Sequence, residues 1–302
     1  MEAFCILAPN YFATMLSILI PTYNYNVMPL VQVLHRQAVQ AGIAFEIIVL
    51  DDHSTETYIT STEQGNVFYL QNDINLGRTA TRKKLAEKAR YTTLLFLDAD
   101  VIPVSEDFIA KYVPYLSSQS VVLGGIAYVK ATPENNKELR YKYGRLREEK
   151  TAVERSINPY GSVLSGNLLI PKSIFLANNY AESNNMYGLD IYFSYRLYKS
   201  NAKIIHIDNA VYHIGLETNE MFFKKTLSAV VSRKQLLNNA KGIENINGLL
   251  KQYNRLKKYR LTGIVRFFFN LTEPLLKKMI LKKDPNLFCL YIYRLGYICH
   301  IK

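Results

Sequence analysis

The chain of 302 residues is 49% hydrophobic and 21% charged, which excludes a disordered polar chain and leaves room for one large α/β domain with an appendage. Three cysteines, Cys5, Cys289 and Cys299, show no CxxC or metal-ligand spacing, which argues against a disulfide framework and points to a reducing compartment. The net charge of +12 is unevenly placed: residue 221 onward holds 17 Lys/Arg against 3 Asp/Glu, and the preceding residues hold 20 against 22. The basicity therefore belongs to the C-terminal region, where nucleic acid, an anionic membrane surface or an acidic partner would each suit it.

From Ala3 to Leu34 no residue is charged, but Pro9, Pro21 and Pro29 interrupt the stretch and no basic segment precedes it. No run reaches the roughly 18–20 apolar residues of a spanning helix, so none is expected. Residues 1–14 read as an N-terminal extension, because the first clean strand, "LSILI" (16–20), starts only after them. "PTYNYN" ends that strand with a Pro/Asn turn. Leu30, Val33, Leu34 and Ala38 then recur at helical spacing over 29–41. "FEIIVL" (45–50) is a second strand stopped by "DDHST", and "VFYLQN" (67–72) is a third. "NLGRTATRKKLAEKAR" (75–90) predicts a helix opened by a glycine and basic residues, followed by a fourth strand, "TTLLFL" (92–97).

The second half is less regular. "VVLGGIAYV" (121–129) and "VLSGNLLIP" (163–171) predict strands, and the charged stretch 134–156 predicts a surface helix. "KIIHIDNAVYHIG" (203–215) reads as a strand pair, and the chain from 221 is helical and basic. The expected domains are 15–220, with halves 15–104 and 105–220, and a helical region 221–302.

Strand–helix alternation with short connections predicts a mostly parallel sheet covered on both faces, with ligands gathered outside the carboxyl ends of its strands. Those ends carry Pro21-Thr22-Tyr23, Asp51-Asp52 and Asp98-Ala99-Asp100. Two carboxylates at i and i+2 can serve a hard divalent cation, although such pairs also occur as solvated loop residues and helix caps. Asp52 reads either as an Asx-turn or as an acceptor facing a nucleotide. Gly77 marks a tight turn, and Arg82, one turn into the helix, would suit a diphosphate; a solvated basic helix face is the competing reading. No G-x-G-x-x-G and no G-x-x-x-x-G-K-[ST] occurs, which argues against a dinucleotide oxidoreductase and a P-loop enzyme.

"SILIPTYN", "EIIVLDDHS", "NLGRTATRKKLAEKA" and "LLFLDADVIP", in that order, resemble a family 2 glycosyltransferase over roughly residues 16–215. The resemblance implies a GT-A fold, with its mostly parallel central sheet flanked by helices, and a nucleotide-diphosphate-sugar donor. It implies that Pro21, Thr22, Tyr23 and Asp52 surround the nucleoside and that Arg82 lies beside the nucleotide, with Lys83 where an Asn is usual. It sets Asp98 near the ribose and Asp100 on a divalent cation, Mn²⁺ or Mg²⁺. "MYGLDIYFSYRLYKSNAKI" resembles the segment of the catalytic base, with Asp190 in the Asp position and Leu189 where an acid is common. Gly166 and Asn167 match the acceptor-side strand, and His213 stands where some members have a third metal ligand; a packed histidine is the equal alternative. The implied reaction is inverting transfer to an acceptor hydroxyl on a glycan or lipid-linked sugar.

Along 261–279, Leu261, Ile264, Phe268, Leu271, Leu275 and Met279 follow helical spacing, with Arg266, Asn270, Glu273 and Lys277 opposite and lysines clustered behind. The expectation is a cytoplasmic protein, peripheral on the cytoplasmic face of the membrane through this helix, or else a helix whose apolar side packs on the domain. Pro274 is expected to kink or divide it. Two rival functions stand beside the transferase: a sugar nucleotidyltransferase, whose glycine-rich phosphate loop is missing here, and a scaffold that uses the basic tail on membrane or nucleic acid.

Overall fold

A computed structural model describes residues 15–56, 58, 63–180 and 186–301; the expected extension 1–14, with Cys5, lies outside them. The first half alternates strand and helix as β1 (Met15–Thr22), α1 (Met28–Gln40), β2 (Ala44–Asp51), β3 (Glu63–Gln64), β4 (Val67–Gln71), α2 (Arg78–Lys88) and β5 (Thr93–Leu97). It continues with β6 (Val101–Pro103), β7 (Val121–Leu123), β8 (Ile126–Ala127), α3 (Glu138–Tyr143), α4 (Ala152–Ser156) and β9 (Asn167–Pro171). Then come α5 (Lys172–Asn178), α6 (Asp190–Lys199), β10 (Ile204–His206) and β11 (Val211–His213). Four helices close the chain: α7 (Asn219–Leu237), α8 (Gly248–Lys258), α9 (Thr262–Leu281) and α10 (Leu287–His300).

Among the described residues the main sheet has eight strands in the order β10-β7-β9-β5-β1-β2-β4-β3, and a second sheet has the order β6-β11-β8. β1 pairs in parallel with both β2 and β5, while β9 runs antiparallel to β5 and β7. Alternation along β1 explains why both faces are covered. Ile18 and Ile20 pack with Leu30 and Leu34 of α1, and Leu19 packs with Leu85 and Ala86 of α2 on the other face. Because β2 and β5 lie on opposite sides of β1, the strand order reverses there and opens a crevice at the carboxyl ends.

Four expectations change. The strand expected over 121–129 is two strands in different sheets, because the chain turns at Gly124-Gly125, whose backbone meets the buried Arg155 side chain. The charged stretch 134–156 is not one solvated helix: α3 passes into a single π turn, and α4 restarts at the Thr151/Glu154 capping box. The cause is inward pull, since Arg140 is buried over the Tyr128 and Phe222 rings and pairs with Glu148 at 3.0 Å. Residues 163–166 are loop, and only 167–171 are strand. Pro274 sits inside α9 without dividing it.

Helix α9 packs on the neighbouring helices through Phe269, Leu276 and Ile280, with Glu273 accepting from the Tyr293 hydroxyl at 2.6 Å and the exposed Asn270 meeting His300 at 2.8 Å. Ile264, Phe267, Phe268, Leu271 and Leu275 are each at least 55% exposed. No helix among the described residues is long and apolar enough to cross a membrane.

Arg155, at 2% exposure, ties these short strands together. It donates to the carbonyls of Lys150, Leu123, Gly124 and Ile207 at 2.8–3.2 Å. Its Nη1 also lies 3.0 Å from His206 Nδ1. A guanidinium has no acceptor, so Nδ1 accepts, and His206 Nε2–H donates to the Pro159 carbonyl at 3.1 Å. Burial pushes the His206 pKa below its ordinary 6.5, with the Arg155 charge adding to it against the Pro159 bond. Replacing Arg155 by Met is expected to cost about 3 kcal/mol or more, read from the urea midpoint. Since the folded imidazole pKa is depressed, its stabilising contribution is present above pH 6.5 and is lost as pH falls through the folded value. Urea midpoints between pH 7 and 5 should fall in the wild type and fall less in His206→Gln.

Candidate active site

The crevice at the end of β1 is a cleft of about 520 Å³ lined by Pro21, Thr22, Tyr23 and Asp52 from one side of the sheet. Asp98, Asp100, Gly166, Asp190 and His213 line it from the other. The four carboxylates come from the ends of β2 and β5 and the first turn of α6, so the sheet topology and not chain proximity gathers them. Thr22 is buried and donates to the Tyr25 carbonyl at 3.2 Å, whereas Tyr23 stands 49% exposed at the mouth.

Asp52 does not reach freely into this space. It is buried and accepts from Asn72 Nδ2, Leu76 N and Gly77 N at 2.8–2.9 Å. Its carboxylate thereby holds the loop before α2 and takes the backbone N–H groups of Leu76 and Gly77. Gly77 enters the helix at φ +80°, ψ 159°, a conformation open in practice only to glycine.

Arg82 is likewise turned inward. Its Nη2 pairs with Asp98 Oδ1 at 2.6 Å and donates to the Ser165 carbonyl at 2.9 Å, and it does not line the cleft. Arg78, one turn earlier, faces the cleft, bonding both Asp98 oxygens at 2.7–2.9 Å and standing 3.5 Å from Asp190 Oδ2. Burial pushes the Asp98 carboxyl up, but Arg78 and Arg82 outweigh it and hold the group at about 2. The loop beside it must be bare: a Cβ on Gly166 would sit 2.5 Å from Asp98 Oδ2.

With Asp98 committed to two guanidinium groups, Asp100 is the member of the pair left for a cation. The antiparallel pairing of His213 with Val101 brings the imidazole beside it, Nε2 lying 3.3 Å from Asp100 Oδ2. Burial pushes the Asp100 carboxyl up, His213 opposing it. Among the described residues no group of three His, Cys, Asp or Glu side chains converges as a metal cage. One carboxylate and one imidazole, the latter with a buried Nδ1 lacking a hydrogen-bond partner, still fit a hard divalent cation that keeps water and takes substrate phosphates.

Asp190 opens α6 and accepts from Ser165 Oγ at 2.5 Å. It also lines an adjoining cavity of about 670 Å³ between α6, α7 and α10. Glu148 borders both spaces too, but Arg140 and the Tyr128 hydroxyl hold it. Asn167 is corrected from pocket residue to core residue. It is fully buried, accepting from Tyr112 and donating to the carbonyls of Gly125 and Asn209.

Sequence reasoning missed Arg78 and Ser165. A trace of Arg78 was present: α2 has no acidic residue in its first turn, and a cation at that unfavourable end needs an external anion. Ser165 precedes Gly166 in the quoted strand, and nothing in its local pattern marks it.

The family model for "Glycosyl transferase family 2" matches residues 17–168. No match was found among the curated proteins. Among solved structures, the mannosyltransferase PcManGT from Pyrobaculum calidifontis, in complex with GDP-Man and Mn²⁺, superposes with a TM-score of 0.57 at 14% identity, covering 94% of this chain and 85% of that one. S. aureus TarS 1–349 in complex with UDP-GlcNAc gives 0.48 at 16% identity, covering 95% of this chain and 89% of that one. Against a longer TarS chain the score is 0.45 at 20% identity, covering 73% of this chain and 40% of that one. The likeness to PcManGT shows the GT-A-type fold, with helices following the sheet domain as expected. With the family match spanning half its length, the chain belongs to glycosyl transferase family 2 and is a glycosyltransferase.

Proposed function

We propose that this chain moves a sugar from a nucleoside-diphosphate donor to an acceptor hydroxyl with inversion, using Asp190 as general base. The observation that carries the reading is the meeting of Asp98, Asp100 and Asp190 in one cleft at the point where the strand order reverses. The donor nucleoside lies against Pro21, Thr22 and the exposed Tyr23 ring, with Asp52 shaping the loop beneath it. The mannosyltransferase PcManGT, which shares the fold, is in complex with GDP-Man and Mn²⁺, in agreement with a donor of this class.

In the reaction the acceptor hydroxyl approaches from the α6 side and gives its proton to Asp190. Its oxygen attacks the anomeric carbon as the bond to the diphosphate breaks, and the nucleoside diphosphate departs from the opposite face. Ser165 orients the carboxylate, and Arg78, 3.5 Å from it, stands ready for the phosphates. Asp100, with His213, would hold a divalent cation, whose chemistry is to offset negative charge growing on the leaving group. The units proposed are a domain over 15–220, donor half 15–104 and acceptor half 105–220, and a helical region over 221–302.

A second proposal concerns the membrane. The apolar ridge of α9, with Lys277, Lys278, Lys282 and Lys283 at its end, suits peripheral binding to an anionic bilayer that presents a lipid-linked acceptor.

Asp190→Asn is expected to lower kcat about 10²-fold or more with a matched donor–acceptor pair; a near wild-type rate would remove the base assignment. Thermal stabilisation by a panel of nucleotide sugars should depend on Mn²⁺ in the wild type and lose that dependence in Asp100→Ala. Sedimentation with phosphatidylglycerol vesicles should carry the wild type down. It should leave the exposed-face variant Phe267→Glu/Phe268→Glu/Leu271→Glu in solution, folded by circular dichroism.

A further inference from the structure

The cavity on the far side of Asp190 has an unusual charge state. The other buried arginines have an anionic or carbonyl partner: Arg82 has Asp98, Arg140 has Glu148, and Arg155 has backbone carbonyls. Arg233 on α7 and Arg294 on α10 both line this cavity, and each has a buried Nε with no hydrogen-bond partner. Among the described residues no carboxylate pairs with either. Of the other cations that line it, Arg78, Arg82 and Lys225 pair with carboxylates and Arg155 with backbone carbonyls, while Arg147 and Lys150 are exposed.

Two like charges brought together away from water raise the energy of the empty protein. Burial, and next the Arg294 charge, bring Arg233 down to about 10, so it is still cationic at neutral pH. The Asp190 charge acts on it in the opposite sense, which sets this guanidinium within electrostatic reach of the proposed base. Neither arginine lines the cleft assigned to the donor. A planar fork of N–H donors matches phosphate oxygens, and two forks match a group with more than one negative charge.

We propose that this cavity receives the acceptor, and that Arg233 and Arg294 hold a phosphate group carried by it near the hydroxyl that Asp190 deprotonates. The proposal rests on the sugar-transfer reading for the identity of the bound molecule, but not for the existence of the anion site. An anion seat left empty is a cost to stability that ligand binding removes.

The test uses the full chain in metal-free buffer, so that the donor cleft holds no cation, with inorganic phosphate as the probe in calorimetry and thermal melts. Phosphate should bind and raise the Tm of the wild type. Arg233→Gln and Arg294→Gln should each weaken binding at least about tenfold, while Lys251→Gln, an equal charge loss on the exposed side of α8, should not. Without phosphate the two variants should melt no lower than the wild type, because they relieve repulsion. Unchanged phosphate affinity in both variants overturns the proposal, and so does a lowered ligand-free Tm with no change in phosphate response, which marks the arginines as structural. Displacement of phosphate by glycerol 3-phosphate assigns the group to a soluble sugar or polyol phosphate; displacement only by phosphatidic acid vesicles assigns it to a lipid-linked one. In transfer assays KM should rise in the variants for a phosphorylated acceptor. Phosphate binding without any sugar transfer would sink the enzymatic reading and leave this site standing.

Discussion

Two guanidinium groups converge on the Asp98 carboxylate, and much of the site follows from that contact. A carboxylate at the end of a fully buried strand is expensive unless compensated, and here Arg78 and Arg82 compensate it from one helix. The same two side chains fasten α2 to the end of β5 and, through the Ser165 carbonyl, to the loop before β9. Gly166 is required there because any side chain would collide with the carboxylate. With Asp98 occupied, Asp100 faces the cleft beside His213, and Arg78 extends the charge network to Asp190. The two acids of the Asp-x-Asp pair thus have different environments although they are only two residues apart.

The C-terminal helices are part of this arrangement and not an appended tail. Helices α7 and α10 wall the cavity behind Asp190, and α10 also packs against Phe269 and Ile280 of α9 and donates from Tyr293 to Glu273. Phe269, Leu276 and Ile280 pack α9 inward, and Ile264, Phe267, Phe268, Leu271 and Leu275 are left as an exposed apolar ridge of the kind that marks interaction surfaces. The positive charge of this region therefore falls in two places: exposed lysines near the ridge, and arginines that line the cavity beside Asp190.

Much of the first half was legible in the sequence. Apolar runs of strand length, broken by Pro, Asn and Asp, located β1, β2, β4 and β5 within a few residues, because strands buried on both faces need continuous apolar side chains. Glycine before a basic helix located α2. The stretch 134–156 misled because charged residues are ordinarily solvated. Arg140 and Glu148 instead compensate each other beneath aromatic rings, a pairing that local composition does not encode.

The sequence by itself determined the class of fold and the strand ends at which polar residues collect, since periodicity and turn chemistry are local properties. It also determined that positive charge concentrates after residue 220. Only the tertiary structure decided which of those polar residues face the cleft. It turned Asp52 and Arg82 to internal duties, buried Asn167, and brought His213 to Asp100 and Arg78 to Asp98 and Asp190. The physical reason is that a carboxylate's role depends on which donors surround it, and those donors come from elements 16 to more than 110 residues away, set side by side by sheet order.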